Sequence, residues 1–401
     1  MRVLAVNQFY APDHAATSQL LTELCEDLAQ AGDRVTVVSS RGSYLGGGSL
    51  PARETRNGVE VVRAAATSFG KRTIAHRMAD YGSFGAMAFA ELMRAERPDV
   101  MVALTTPPMI ASAAAVVAGL RRAPLVAWVQ DVYPEIAVAF GVLGERAPVT
   151  RALARAAKLT HRAARFSVAL SDGMAERLFA QGQAAERVRV VPNWADGRLI
   201  RPVAHEASAF RREHGLEGRF VVAYSGNFGV GHELGGLLDA VKQLAPKLPE
   251  LRLLLVGDGA RRGEIERISR DLDHVVLLPY QPREALAASL SAADIHFASL
   301  RAGLAGLLVP SKLYGILAAG RPLIYQGEAR CEVARVVREH DVGFVVAPGD
   351  TEALARAIWH AAHDRETTRE MGERARRVFE AEFDRPRAVA RFRAVLEEAA
   401  G

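Results

Sequence analysis

Short apolar runs alternate with stretches of helical period along the chain, and the alternation starts afresh once. Val3–Val6 reads as a strand and Thr17–Ala31 as an amphipathic helix. Gly32 is its stop, and Arg34–Ser39 is the next strand. Val59–Arg63, Val100–Leu104, Val126–Val129 and Phe166–Ala169 continue the series. After Asn193 the pattern restarts with Phe220–Tyr224, a glycine-rich loop and a helix over Glu233–Leu244. Leu253–Val256, Val275–Leu278, Ile295–Ala298, Pro322–Tyr325 and Gly343–Val346 follow as strands, and Pro386–Ala400 as a last helix. Brief buried strands separated by helices assemble into a parallel sheet with helices on both faces. The expected fold class is α/β, with two Rossmann-like, doubly wound domains facing each other across a cleft. We expect them at residues 1–200 and 201–385, with a polar, turn-rich linker near Asp196–Ala207. Residues 386–401 should form a helix packing back on the first domain.

A chain of 401 residues has room for two such domains. Cys25 and Cys331 are its two cysteines, too few for a disulfide scaffold, and no CxxC or Cys/His cluster points to zinc. A reducing cytoplasm is the simplest setting. Val3-Leu4-Ala5-Val6 follows Met1 almost at once, so no leader is expected. The apolar run Met109–Leu120 is about half the length of a membrane-spanning helix. The expected location is cytoplasmic, or peripheral on the inner membrane leaflet. Charge is uneven: residues 1–200 carry 23 Lys/Arg against 18 Asp/Glu, and residues 201–401 carry 28 of each. A basic first half and a neutral second half imply different partners. The arginine excess carries no nucleic-acid inference.

Doubly wound sheets bind ligands at the carboxyl ends of their strands. The loop Ser225-Gly226-Asn227-Phe228-Gly229-Val230-Gly231-His232 follows a strand there, and Val256-Gly257-Asp258-Gly259 forms a second such turn. Glycines let backbone approach a ligand closely, and a following helix offers free N–H groups, which suits a diphosphate. A tight turn without ligand would look the same. Further on, Pro310 and Ser311 can open a helix that Gly320 and Pro322 end. Lys312 then falls in its first turn, where the helix dipole disfavours a cation unless an anion lies beside it. Lysine is scarce here, with five in the chain.

These motifs resemble the family 4 retaining glycosyltransferases. The resemblance rests on Tyr224-Ser225-Gly226-Asn227, Val256-Gly257-Asp258-Gly259, Ala293-Asp294-Ile295 and the run Pro310-Ser311-Lys312-Leu313-Tyr314-Gly315 through Arg321-Pro322. In the first half, Phe9-Tyr10-Ala11-Pro12, Gln130-Asp131-Val132-Tyr133-Pro134-Glu135 and Val191-Pro192-Asn193-Trp194 are similar to the branch that builds bacterial exopolysaccharide, capsule and O-antigen. The resemblance implies a GT-B fold, a nucleotide-sugar donor, most simply UDP-linked, on the second domain, and an acceptor on the first. It implies no cofactor beyond that substrate. The acceptor would be a sugar or a polyprenyl-linked precursor.

The chain departs from the family where two glutamates usually stand eight positions apart; Leu307 and Gly315 occupy those places. Asn227 and His232 replace the usual Arg and Lys of the first donor loop. We therefore expect Lys312, Ser311 and helix-end N–H groups to hold the diphosphate, with His232 as a further phosphate donor. Ser225, Gly226 and Gly257 would line the donor site. Glu332 stands as the ribose carboxylate or as an ordinary helix-start acid. Tyr280 and Gln281 follow the strand that leads to the expected base pocket.

In the acceptor half, His14 and Ser18 flank the start of the first helix and are candidates for sugar hydroxyls or an acceptor phosphate. Asp131, at the end of its strand, can take or orient the acceptor's proton, and Glu135 can share that role. The resemblance favours front-face substitution, with Lys312 stabilising leaving-group charge as the second catalytic residue. No metal cluster is evident. Arg151, Arg155, Lys158, Arg162 and Arg165 step by four, three, four and three along one helix face, opposite Val149, Leu153 and Ala164. The stripe can meet anionic lipid or simply face water. Two other functions share the scaffold: a nucleotide-sugar epimerase, and a non-catalytic sugar-nucleotide-binding partner of another transferase. An epimerase needs clustered acid and base residues that the second half lacks.

Overall fold

The computed structural model describes residues 1–13, 15–42, 49–67, 69, 73–270 and 272–401. Contacts divide it into two units. The first comprises Met1–Pro192, Gly306–Leu308 and Ala388–Gly401; the second comprises Asn193–Ala305 and Val309–Arg387.

The first unit holds β1 (Arg2–Val6), β2 (Arg34–Ser40), β3 (Arg53–Arg56), β4 (Val59–Ala64), β5 (Val100–Ala103), β6 (Leu125–Trp128), β7 (Phe166–Ala169) and β8 (Val188–Val190). They form one sheet in the order β3-β4-β2-β1-β5-β6-β7-β8. Every ladder is parallel except β3 against β4. The reversed strand, Arg-Glu-Thr-Arg, is polar and mostly exposed. As an edge strand it has no buried face to write an apolar alternation into its sequence. The last helix, Arg385–Ala400, returns to this unit, and Phe392 packs on Trp128 with ring centres 4.5 Å apart. Arg189 and Glu398 pair beside it.

The second unit contains β9 (Phe220–Ser225), β10 (Leu251–Val256), β11 (Val275–Leu278), β12 (Ile295–Ser299), β13 (Leu323–Gln326) and β14 (Gly343–Val346). The order is β11-β10-β9-β12-β13-β14, all parallel. Successive residues of a strand face opposite sides, and the core divides accordingly. Phe220, Val222 and Tyr224 join one apolar layer with Leu253, Leu255, Ile295 and Phe297. Val221 and Ala223 join the other with Leu254, Val256, Phe210 and Leu216. Each Val, Leu, Ile or Phe among them contributes about 1.5–3 kcal/mol on burial. The order in which strands are added reverses between β9 and β12, the neighbours from which the loops of interest emerge.

The stretch expected as a linker is folded into the second unit. Arg385 pairs with Asp196 at 3.1 Å, Asp384 accepts the Gly197 N–H at 3.0 Å, and Arg376 donates to the Ile200 carbonyl at 3.0 Å. Turn-rich composition here reflects a chain that turns repeatedly while packed. Among the described residues no helix is long and apolar enough to cross a membrane.

Candidate functional site

In the second unit, β9 ends at Ser225 and runs into the loop that begins at Gly226. The turn after β10 presses against it. Gly226 donates to the Val256 carbonyl at 2.9 Å, and Phe228 donates to the Asp258 carbonyl at 2.8 Å. Gly257 has φ +149°, and a methyl group there would collide with the Gly226 carbonyl oxygen. Gly259, at φ +151°, would collide with Asn227 Oδ1 and the Phe228 backbone. These two glycines were expected to admit a ligand; they are needed for one turn to pack on the other. The Tyr224 hydroxyl fastens the assembly by donating to the Asn227 carbonyl at 2.7 Å.

Lys312 opens a helix of seven residues, Lys312–Ala318, with Ser311 as its exposed N-cap. So short a helix brings little macrodipole. The lysine stem crosses the β9 loop: a methyl at Gly226 would lie 3.3 Å from Lys312 Cε and 3.6 Å from Nζ. The ammonium is buried, has no hydrogen-bond partner among the described residues and lies 3.8 Å from the centre of the Tyr224 ring. Burial lowers its pKa to about 7. Among the described residues the close compensation for this buried cation is a ring face, which favours an incoming anion.

His232 needs a correction. Its Nδ1 donates to the Ser299 carbonyl at 2.7 Å. Burial foremost, with help from the Lys312 charge, lowers its pKa to about 3. The ring is neutral and its remaining nitrogen, Nε2, offers a lone pair. It is therefore suited to accept from a ligand hydroxyl and not to donate to phosphate. Arg261, which the sequence reasoning passed over, is the nearby cation: it donates to the His232 carbonyl at 3.1 Å and pairs with Glu264.

Glu332 is buried at the start of its helix, where Arg335 pairs with it at 2.6 Å. Tyr280 is 48% exposed, with its hydroxyl 3.3 Å from the Asp258 carbonyl; the Gln281 amide donates to the Pro279 carbonyl. The positions without the family's glutamates are apolar. Leu307 is buried, and a methyl at Gly315 would touch Leu290 and Ile200. Among the described residues, no group of three or more His, Cys, Asp or Glu side chains is arranged to hold a metal ion.

In the first unit Asp131 follows β6. Thr105 Oγ1, after β5, accepts the N–H groups of both Gln130 and Asp131 at 3.2 Å. Desolvation raises the Asp131 pKa to about 6. Glu135 accepts from Gln181 at 2.8 Å through Oε1. Ser18 is fully buried and donates to the Asp13 carbonyl, which corrects its expected contact with an acceptor: helix packing has turned it inward. His14 lies outside the described residues.

The basic stripe occupies the helix Pro148–Ala163, on which Arg151, Arg155, Lys158 and Arg162 are all exposed. Arg165 falls past the helix end, 5.4 Å from the Phe166 ring centre. The covered side is formed by Thr150, Ala157 and Thr160, while Val149, expected there, is 51% exposed.

Comparison with known proteins gives a consistent picture. Residues 17–194 match the "Glycosyl transferase 4-like domain" model and residues 206–378 match "Glycosyl transferases group 1". The chain is 26% identical over 377 residues to the putative colanic acid biosynthesis glycosyl transferase WcaI of Escherichia coli K12, covering 90% of this chain and 92% of that one. It is 28% identical over 268 residues to the probable glycosyltransferase WbjE of Pseudomonas aeruginosa, covering 66% of each. The crystal structure of Anabaena Alr3699/HepE in complex with UDP-glucose superposes with a TM-score of 0.76 at 18% identity, over 99% of this chain and 100% of that one.

Proposed function

Because the chain belongs to the GT-B-fold glycosyltransferases related to those of bacterial exopolysaccharide, lipopolysaccharide and O-antigen assembly, we propose that it is a retaining enzyme using a UDP-sugar. It moves a hexose or N-acetylhexosamine to a hydroxyl of a lipid-linked or polysaccharide precursor. One observation carries this reading: the buried Lys312 ammonium, without a hydrogen-bond partner among the described residues, lies against Gly226 at the switch point of the second unit's sheet.

The diphosphate takes the place beside Lys312, with Ser311 and the helix-end amides as neutral donors. As the bond from the anomeric carbon to the leaving oxygen breaks, negative charge grows on that oxygen and the lysine stabilises it. The acceptor oxygen attacks from the same face. Asp131, ionised above about pH 6, orients the acceptor hydroxyl and receives its proton. His232 Nε2 accepts from a donor hydroxyl, and Tyr280 and Gln281 stand near the base. Charge on the leaving group is met by Lys312 and amides, so turnover should persist in EDTA. The exposed Arg151, Arg155, Lys158 and Arg162 hold the enzyme peripherally on an anionic leaflet that carries the acceptor.

The decisive experiment screens UDP-, GDP- and dTDP-sugars by thermal shift, followed by product NMR with the stabilising donor. A ligand of the native state raises the apparent melting temperature. A UDP-sugar should do so, and the product should keep the donor's anomeric configuration. An inverted product, or no stabilisation by any nucleotide sugar, refutes the reading.

A further inference from the structure

A small cavity of about 40 Å³ lies behind Asp131 in the first unit, between the carboxyl ends of β5 and β6 and the helix Pro148–Ala163. Its apolar wall includes Met109, Ala127 and Val129. Thr105, Ser112, His161 and Asp131 also line it. A cavity needs about 10–15 Å³ and two to four polar partners to hold a water molecule; this one has the room, and those four polar side chains are among its lining residues.

The hydrogen bonds around the cavity fix which way its hydroxyls point. Thr105 Oγ1 already accepts two backbone N–H groups, from Gln130 and Asp131. A hydroxyl has two acceptor sites and one hydrogen, so the Thr105 hydrogen is left to donate. Thr160 donates to the Ala156 carbonyl at 2.8 Å, so the 2.7 Å contact between Ser112 and Thr160 has Ser112 as donor. Ser112 therefore keeps its lone pairs for an incoming donor. His161 has Nδ1 bonded to Ser167 at 2.9 Å, so Nε2 is the ring nitrogen not committed to that contact. A hydroxyl with a hydrogen to give, a hydroxyl with lone pairs to offer and a carboxylic acid thus line one space.

We infer that water in this cavity joins the Asp131 carboxyl to Thr105, Ser112 and His161, and that these are positioning residues which hold Asp131 in its reactive orientation and charge state. The inference rests on the proposed role of Asp131 in transfer. The other titratable groups lining the cavity are His161, on the helix side, and Tyr133, on the loop after Asp131. Burial lowers the His161 pKa to about 4 and pushes the Tyr133 phenol up, so both are neutral where Asp131 titrates.

The test compares full-length wild type with Ser112→Ala, Thr105→Val and Thr105→Ser. The Asp131 titration midpoint is read by carbon-13 NMR of labelled carboxyls and assigned by Asp131→Asn. The pH profile of kcat/KM is measured in parallel. A hydrogen bond to the charged form favours ionisation. Loss of the water or of the Thr105 donor should therefore raise the midpoint, by about one unit for one charge-assisted bond. The acid limb of kcat/KM should move with it, and Thr105→Ser should return both towards wild type. A midpoint unmoved in folded Ser112→Ala and Thr105→Val, or a high-resolution crystal structure without water density in the cavity, overturns the inference. Failure of the underlying reading looks different: full transfer by Asp131→Asn removes Asp131, and with it any positioning role, from the reaction whatever the midpoints do.

Discussion

The Lys312 ammonium sits 3.8 Å above the centre of the Tyr224 ring, and the Tyr224 hydroxyl ties down the Asn227 carbonyl 2.7 Å away. One aromatic side chain thus shapes the glycine-rich loop and carries the cation that waits over it. Tyr224→Phe keeps the ring and loses one hydrogen bond, whereas Tyr224→Leu loses both supports. Donor affinity should fall modestly in the first and severely in the second, as measured by calorimetric titration with UDP. Equal losses would mean that the ring face does not matter.

Lys312 should make donor binding pH-dependent. Its pKa is about 7 when it faces no anion. A diphosphate favours the charged form, so binding takes up a proton wherever the free lysine is neutral. UDP should therefore bind more weakly as pH rises above about 7. Proton uptake at pH 8, obtained from calorimetry in buffers of different ionisation enthalpy, should vanish in Lys312→Met. Lys312→Ala should lower kcat by about 10²–10³, and Tyr280→Phe far less.

Gly257 and Gly229 make a discriminating pair. A methyl at Gly257 has the Gly226 backbone oxygen in its way and a left-handed φ to satisfy, whereas one at Gly229 meets the Asn227 side-chain amide at 3.1 Å, which can rotate aside. Gly257→Ala should lower the melting temperature and abolish UDP binding, and Gly229→Ala should do neither strongly. Intact binding in Gly257→Ala would show that the two turns need not touch.

The sheets were legible because burial on both faces writes apolar runs into a sequence, and helices between them write another period. The strand Arg53–Arg56 escaped because it is polar, reversed and mostly exposed. Within the candidate site, Lys312 stood out as a rare cation placed against its own helix dipole. Local sequence does not carry partners supplied from afar. Which nitrogen of His232 carries the proton is decided by a carbonyl 67 residues away, at Ser299. The close approach at Gly257 was foreseeable from its glycine, but its neighbour, Gly226, lies on another loop. Ser18 stands in the first turn of the helix Ala16–Gln30, and only packing turns it inward. Thr105 gave no signal, since a threonine after a strand is commonplace; its importance comes from the two N–H groups it receives.

Membrane attachment predicts a charge effect that transfer in solution does not share. The four basic residues on the helix Pro148–Ala163 are exposed, and Leu159 among them is 64% exposed. Charge reversal of Arg155 and Arg162 to Glu should sharply reduce sedimentation with vesicles containing phosphatidylglycerol. It should leave binding to neutral vesicles and turnover of a water-soluble acceptor unchanged. Binding that survives the reversal would return the stripe to the solvent.

Asp131 supplies a stability test independent of activity. Its folded pKa, about 6, lies above the ordinary carboxylate value of 3.8. The folded state therefore holds more protons than the unfolded state between those values, and stability falls as pH rises through that window. The penalty is complete above about pH 6 and absent below about pH 4. Asparagine at this position carries no charge to desolvate, so Asp131→Asn should melt higher than wild type at pH 7.5, and the gap should close on acidification to pH 4. A gap that stays constant with pH would mean that the carboxyl is open to bulk solvent and titrates normally. A variant that melts higher yet transfers sugar poorly would separate the group's cost to folding from its use in the reaction.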